Sequence, residues 1–400
     1  MLLLQHIDLT DIPAFRFKSC PLPNDSFVNI LPLSRAHSLN HLSIEMRQGN
    51  NAFSPTLFQN ISSTLQGLVM NHNNIESLPE SIFEEFSSLQ YLSLSDNKLK
   101  SLPENLLLDL SNLTTLFITN NELQSLPENI FQSLFKLEKL YLFKNQLKSL
   151  PNNLFKSLVN LKILDIADNH IELLPEGIFL GLSQLIHVRL RGNYLRILPK
   201  DLFSYSINLR DIDLSLNGFQ EPLPEELFYG LNRLENISLH DCNLALIHET
   251  FFSPCSNITH LQLQNNGLRI LPSNIFRNNS MLKQINLNFN HINTLPPNLF
   301  PNHKHLEKVH LYHNNISEIP IGLFEHAKNI KTLVLGHNNI QSANRSVFRD
   351  LPQLENIDLS NNNLSSTYVN QNTHTLNTGV REDLESGVLA RSDILTHPCF

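Results

Sequence analysis

Apolar and polar residues alternate along most of this chain inside a frame of twenty-four residues that repeats without gaps from Leu89 to Asn208. The frame from Leu137 to Asn160 reads LEKLYLFKNQLKSLPNNLFKSLVN, with leucine-type residues at positions 1, 4 and 6. Asn follows at 9, apolar residues at 11 or 12 and at 14, Pro at 15 and usually Phe at 19. A fixed period of this length marks a repeat array, in which each unit buries its apolar face only against its neighbours. Thirteen frames run from Leu65 to about Ser365.

Positions 3 to 7 alternate, as in Lys139-Leu140-Tyr141-Leu142-Phe143. This predicts a short strand with Leu140 and Leu142 facing inward and Lys139, Tyr141 and Phe143 outward. Strands one frame apart can lie in parallel at about 4.8 Å, with the rest of each frame as the return path. The preceding Leu-Pro pair, as in Leu150-Pro151, opposes a long helix on that path. The expected fold is therefore an α/β solenoid shaped as a horseshoe, with a concave parallel β-sheet and an irregular or short-helical convex side.

The Asn at position 9 returns as Asn73, Asn97, Asn121, Asn145, Asn169, Asn193, Asn217, Asn266, Asn290, Asn314, Asn338 and Asn362. A turn that leaves a strand strips backbone N–H and C=O groups of partners, and a short amide carries both donor and acceptor. These residues are expected to form an internal amide ladder. Position 19 gives Phe83, Phe131, Phe155, Phe179, Phe203, Phe228, Phe252, Phe276, Phe300, Phe324 and Phe348, which predicts a spine of stacked rings.

Regularity sets the domain boundaries. Residues 1–38 are divergent, with Leu4, Ile7 and Leu9 fitting positions 1, 4 and 6 before the irregular Lys18-Ser19-Cys20-Pro21-Leu22-Pro23. The solenoid is expected over 39–365, starting with a degenerate unit at Leu39, Leu42 and Ile44 in which Arg47 replaces Asn. Residues 366–400 are polar, without periodicity, and are expected to be a disordered tail. The start lacks a basic lead and a long apolar run, so it does not read as a secretory signal, and the chain is expected to begin inside something larger.

A net charge of -8 argues against nucleic acid as a partner, which requires clustered Lys and Arg. No run of about eighteen apolar residues encodes a membrane span. Of the four cysteines, Cys242 falls at position 9 and Cys255 at position 22 of one frame. A disulfide needs Cα atoms within about 7 Å, and these positions lie on different sides of the coil, so two buried thiols are favoured over a bridge.

Outward strand positions can carry function because a stiff support presents them in register. They yield an aromatic patch, Tyr91, Phe117, Tyr141 and Phe143, beside a charged strip, Asp165, Asp168, His187, Arg189, Arg191, Asp211 and Asp213. Exposed aromatics beside Arg are the composition of protein-binding hot spots, and the patch is the candidate ligand-binding surface. The charges equally suit cross-strand pairs that only stabilise the sheet, by about 0.2–1 kcal/mol each.

Histidines cluster at His303, His305, His310 and His313, with His337 one frame beyond His313. No third ligand of fixed geometry accompanies them, so solvated surface residues are favoured over a metal site, and no metal or cofactor is expected. Nine Asn-x-Ser/Thr sequons, at Asn24, Asn60, Asn112, Asn236, Asn257, Asn278, Asn315, Asn344 and Asn363, are N-glycosylation candidates. No phosphate loop, nucleophile elbow or paired catalytic carboxylate can be assembled, so the chain is not expected to be an enzyme.

The LxxLxLxxNxLxxLPxxxF frame, as in Leu113 to Phe131, resembles the extracellular typical leucine-rich repeats over residues 65–365. The long run of LPxxLF blocks, with Cys20-Pro21-Leu22-Pro23 upstream, is similar to the ectodomain of arthropod Toll and Toll-like receptors. Acid-labile-subunit and chaoptin-like adhesion proteins share the repeat and imply a matrix or surface role instead. The Toll resemblance implies a glycoprotein at the cell surface that binds a protein ligand, such as a Spätzle-like cystine-knot factor, or a microbial product. It also implies receptor dimerisation and signal transduction in innate immunity or development. The cysteine-rich flank after the array, the membrane helix and the TIR domain of that family are not encoded here, so this chain reads as a truncated ectodomain.

Overall fold

The computed structural model describes residues 13–18, 38–45, 57–58, 61–342, 345–349 and 351–364. They divide between two compact units, Met1–Leu234 and Glu235–Phe400. The expectations for Leu4, Ile7, Leu9, Cys20, Arg47 and Cys399, for Asn24, Asn60 and Asn344, and for the tail 366–400 lie outside the described residues.

The first unit is a parallel β-solenoid of nine strands: β1 (Ala14–Lys18), β2 (His41–Glu45), β3 (Gly67–Val69), β4 (Tyr91–Ser93), β5 (Thr115–Phe117), β6 (Lys139–Tyr141), β7 (Ile163–Asp165), β8 (His187–Arg189) and β9 (Asp211–Asp213). From β3 onward the partners are one frame apart, as in Leu116 opposite Leu140 and Leu140 opposite Leu164. The degenerate unit is present as β2, whose Leu42 and Ile44 are buried. The second unit repeats the arrangement with β10 (Asn236–Ser238), β11 (His260–Gln262), β12 (Gln284–Asn286), β13 (Lys308–His310), β14 (Thr332–Val334) and β15 (Asn356–Asp358). A five-residue helix α1 (Arg345–Arg349) lies between β14 and β15 in sequence.

The regular strands are three residues long, positions 3 to 5, and not the five that the alternation predicts. Backbone pairing nevertheless continues past them: the Leu142 N–H donates to the Asp165 carbonyl at 2.8 Å and the Lys144 N–H to the Ala167 carbonyl at 3.0 Å. What ends the strand is position 8, which is left-handed in turn after turn, at Asp96, Asn120, Lys144, Asp168, Gly192 and Leu216 in the first unit. Gly192 has φ 65 there, and the Asp168 side chain lies so close that a Cβ on Gly192 would collide with it.

Inside each turn the leucines at positions 1, 4, 6 and 11 are fully enclosed, as at Leu137, Leu140, Leu142 and Leu147. The return path opens on the Pro carbonyl, which accepts the N–H three residues on, as Pro151 does from Leu154 at 3.2 Å. Proline suits this place because its fixed φ starts the tight turn and its missing N–H is not called upon. Ring stacking follows the period, with Phe131, Phe155, Phe179, Phe203 and Phe228 at 5.9–6.5 Å between centroids. In the second unit Phe252, Phe276, Phe300 and Phe324 repeat it at 6.1–6.2 Å.

Position 9 closes each turn. Asn145 accepts the Leu123 N–H on Oδ1 and donates from Nδ2 to the Ile118 and Leu142 carbonyls. The same bonds recur at Asn97, Asn169, Asn193, Asn217, Asn266, Asn290, Asn314, Asn338 and Asn362; Asn121 accepts the Leu99 N–H and donates to the Leu94 and Thr119 carbonyls, and Asn73 donates to the Ile44 carbonyl. Cys242 takes this place in one turn, its N–H held by Asn266 at 3.0 Å. Cys242 and Cys255 are buried thiols, the Cys242 thiol donating to the His240 carbonyl at 3.4 Å, and burial pushes the Cys255 thiol up to about 12, far from a reactive thiolate.

Candidate binding surface

Side chains at positions 3 and 5 of each strand project to the face opposite the leucines, one strand beside the next. In the first unit this register assembles a ring column. Tyr91 and Phe117 are tilted at 5.6 Å, and Phe117 and Tyr141 are stacked at 4.3 Å with 6° between planes. Tyr91 is 37% exposed, and Phe117, Tyr141 and Phe143 are half-buried, Phe143 two residues further along the β6 turn. Burial raises the pKa of both the Tyr91 and the Tyr141 phenols, so they stay neutral and present an apolar body with a hydroxyl tip.

The neighbouring charges are engaged within the sheet. Arg189 on β8 reaches Asp165 on β7 at 3.3 Å, and His187 on β8 reaches Asp211 on β9 at 2.6 Å. Asp213 accepts the Ser215 N–H at 3.0 Å and its hydroxyl at 2.5 Å. Arg191 is half-buried and Asp168 exposed.

Asp165 departs from the expectation of an outward, solvated carboxylate: it is 5% exposed. Its pocket between β6 and β8 raises its pKa by burial, against the Ala167 N–H and Arg189, which pull the other way. The arrangement offers a flat aromatic plate beside a strip in which Asp165, His187, Arg189, Asp211 and Asp213 already have partners. Such a plate can bury apolar area against another surface, whereas the paired charges hold the strands in register.

The histidines do not behave as one solvated group. His303 is fully buried and His310 half-buried, and only His313 and His337 stand exposed, with His305 between these extremes. The reason is their place in the repeat. His303 sits at position 22, where other turns bury Leu134, Leu158 and Leu182, and its ring meets Phe300 edge-on at 5.4 Å. Among the described residues no cluster of three His, Cys, Asp or Glu could hold a metal ion.

Of the described sequons, Asn257, Asn278, Asn315 and Asn363 are exposed and Asn236 is half-buried on β10. Asn112 is engaged on both sides of its amide, donating to the Ser87 carbonyl at 2.7 Å and accepting from Lys136 at 2.6 Å.

Sequence reasoning passed over one surface of the second unit. At the left-handed position 8, Phe289, His313 and His337 form a continuous row of rings with Tyr312 beside it. The signal was available: this position most often holds Asp, Asn or Gly elsewhere, with His72, Lys144 and Leu216 as exceptions, and here rings take it in three consecutive turns.

The profile described as Leucine rich repeat matches residues 63–123, 111–171, 159–219 and 304–364, and that of a BspA type Leucine rich repeat region matches 198–315. No curated protein matches by sequence. Among solved structures, Toll in the Toll–Spätzle complex of Drosophila is 24% identical with TM-score 0.79, covering 93% of this chain and 50% of its own. A leucine-rich-repeat protein of Leptospira interrogans is 25% identical with TM-score 0.77, covering 92% of this chain and 95% of its own. The receptor of a TLR13–ssRNA13 complex is 24% identical with TM-score 0.66, covering 86% of this chain and 52% of its own. The chain thus spans about half the length of the two receptors.

Proposed function

Because the chain belongs to the leucine-rich repeat family, matched over more than half of its length, we propose that it is a non-catalytic protein-binding domain of a Toll-like receptor. In this reading it acts outside the cell or at its surface, in innate immunity or development, and binds a cystine-knot factor of the Spätzle kind. Dimerisation would follow binding, and exposed Asn257, Asn278, Asn315 and Asn363 would carry glycans. The observation that carries the reading is the column Tyr91, Phe117 and Tyr141, with Phe117 and Tyr141 in register on adjacent strands, Tyr91 packed diagonally against Phe117, and all three partly open to water. Exposed aromatic surface costs solubility and gains nothing in the free protein, whereas aromatic anchors dominate the energetics of protein interfaces.

Changing Tyr141→Ser together with Phe143→Ser tests it, with surface plasmon resonance against a Spätzle-like factor as the readout. The pair is expected to weaken binding by about 100-fold, the scale of a hot-spot loss, and to leave the melting temperature within a few degrees. Unchanged affinity would remove this surface from consideration. A surface adhesion or matrix protein is the second reading, since the repeat match carries the family and not a receptor role.

A further inference from the structure

The second unit carries a face of different chemistry from the first. Where the first unit answers Asp165 with Arg189, strands β11 to β13 set amides and imidazoles side by side: His260, Gln264, Gln284, Asn286, Asn288 and His310. The carbonyl oxygens of two of these amides are used by the backbone. Asn286 Oδ1 accepts the Asn288 N–H at 3.1 Å, and Asn288 Oδ1 accepts the Tyr312 N–H at 2.8 Å. That fixes their NH2 groups as donors on the face.

Gln264 Oε1 and His310 Nε2 are shut off from water by their neighbours and meet no partner. A buried polar atom without a hydrogen bond is costly, so both stand ready for an incoming hydroxyl that parts the side chains covering them. Burial lowers the pKa of His260 and His310, with Lys308 acting on both and Lys283 on His260 in the same direction. Each imidazole is therefore neutral; His260 Nδ1 already meets the Thr259 hydroxyl at 2.9 Å, so a ligand has its other ring nitrogen and His310 Nε2 to bond.

A row of rings borders this face. Phe289 is 46% exposed and stacks on His313 at 5.1 Å, His313 stacks on His337 at 5.9 Å, and Tyr312 meets Phe289 edge-on at 5.5 Å. Phe289 and His313 have φ 54, the region in which a bulky side chain is disfavoured and which Asn265 and Asn361 occupy in other turns. Lys144 and Leu216 also take this conformation, so it is the exposed run of rings in consecutive turns, and not the backbone, that points to contact with a ligand.

We propose that the face of β11 to β13, bordered by Phe289, Tyr312 and His313, binds a neutral oligosaccharide. Sugar hydroxyls both donate and accept, and so match NH2 donors, an amide acceptor and neutral imidazoles on one surface. The apolar C–H faces of the sugar rings lie against Phe289 and Tyr312. The cations at this face are Lys308 on β13 and Lys283 beside Gln284, fewer than the clustered Lys and Arg that a polyanion would require.

The test is a glycan microarray of neutral and acidic oligosaccharides probed with the labelled full chain, then isothermal titration calorimetry with the best-retained neutral oligosaccharide. Gln264→Ala with Gln284→Ala is expected to weaken binding at least tenfold. Phe289→Asn is expected to do the same without lowering the melting temperature, since it installs a residue suited to the backbone. Tyr141→Ser with Phe143→Ser, which tests the protein-binding surface of the first unit, is expected to leave sugar binding unchanged, so the two proposals fail separately. Retention of acidic glycans only, retention of none, or full affinity in Phe289→Asn overturns the proposal.

Discussion

Replacing Asn169 with alanine is expected to destabilise the first unit by about 3–5 kcal/mol, because several buried backbone groups lose their partner at once. Asn169 is 2% exposed. Its Oδ1 accepts the Leu147 N–H at 3.1 Å, and its Nδ2 donates to the Leu142, Ile166 and Ala167 carbonyls, each at 3.1 Å. Water cannot replace the amide there, and an unsatisfied buried donor or acceptor costs about 1–3 kcal/mol. The shift in melting temperature is expected to be on the order of 10 °C for a unit of this size.

Asn129→Ala is the control. Asn129 is exposed and touches only Glu104 at 3.3 Å, so its loss is expected to stay within about 0.5 kcal/mol. Asn169→Asp separates the two halves of the amide: it keeps the acceptor for Leu147 and removes the donors to three carbonyls, placing an unpaired charge among them. Thermal melts in which Asn169→Ala and Asn129→Ala coincide would mean that the turns close without this side chain.

The period, the inward leucines and the Phe stacking were legible because each follows from one frame laid on the next. Strand length was not, since alternation at positions 3 to 7 continues past the point where the backbone turns. Only the frequent Asp, Asn and Gly at position 8 betray that turn, through their tolerance of the left-handed region, and His72, Lys144, Leu216, Phe289, His313 and His337 there obscure it. The candidate surface was legible in part. Register brings Phe117 and Tyr141 together, with Tyr91 a diagonal neighbour of Phe117, but the burial of Asp165 depends on what its two neighbouring strands carry, Tyr141 and Arg189. His303 shows a different lapse. Position 22 makes Cys255 interior, and the same position makes His303 interior, yet its nearness in sequence to His305, His310 and His313 groups it with exposed residues. Place in the repeat outweighs place in the chain.

Acid is expected to weaken the second unit through His303. Its ring is enclosed, and burial pushes its pKa from 6.5 down to about 4, against the Phe300 backbone, which pulls the other way. The folded state thus favours the neutral imidazole. Its contribution is fully present above pH 6.5 and is lost as pH falls toward 4, because the unfolded chain takes up the proton first. The shift corresponds to about 3 kcal/mol between pH 7.5 and pH 4. His260 and His310 are lowered too and act in the same sense, so wild-type acid sensitivity alone would not isolate His303.

His303→Leu isolates it by restoring the residue that position 22 carries at Leu134, Leu158 and Leu182. Urea unfolding of both proteins is expected to show the variant's advantage growing by about 3 kcal/mol from pH 7.5 to pH 4. An advantage that stays constant across that range would show that His303 titrates alike in both states and has room for its charge. Its neighbours in the column suggest otherwise: Asn279 at the same position already spends its NH2 group on the Phe252 and Cys255 carbonyls at 2.9 and 2.8 Å. The Cys255 thiol in the turn before is itself neutral, so nothing in that column is set to balance an imidazolium.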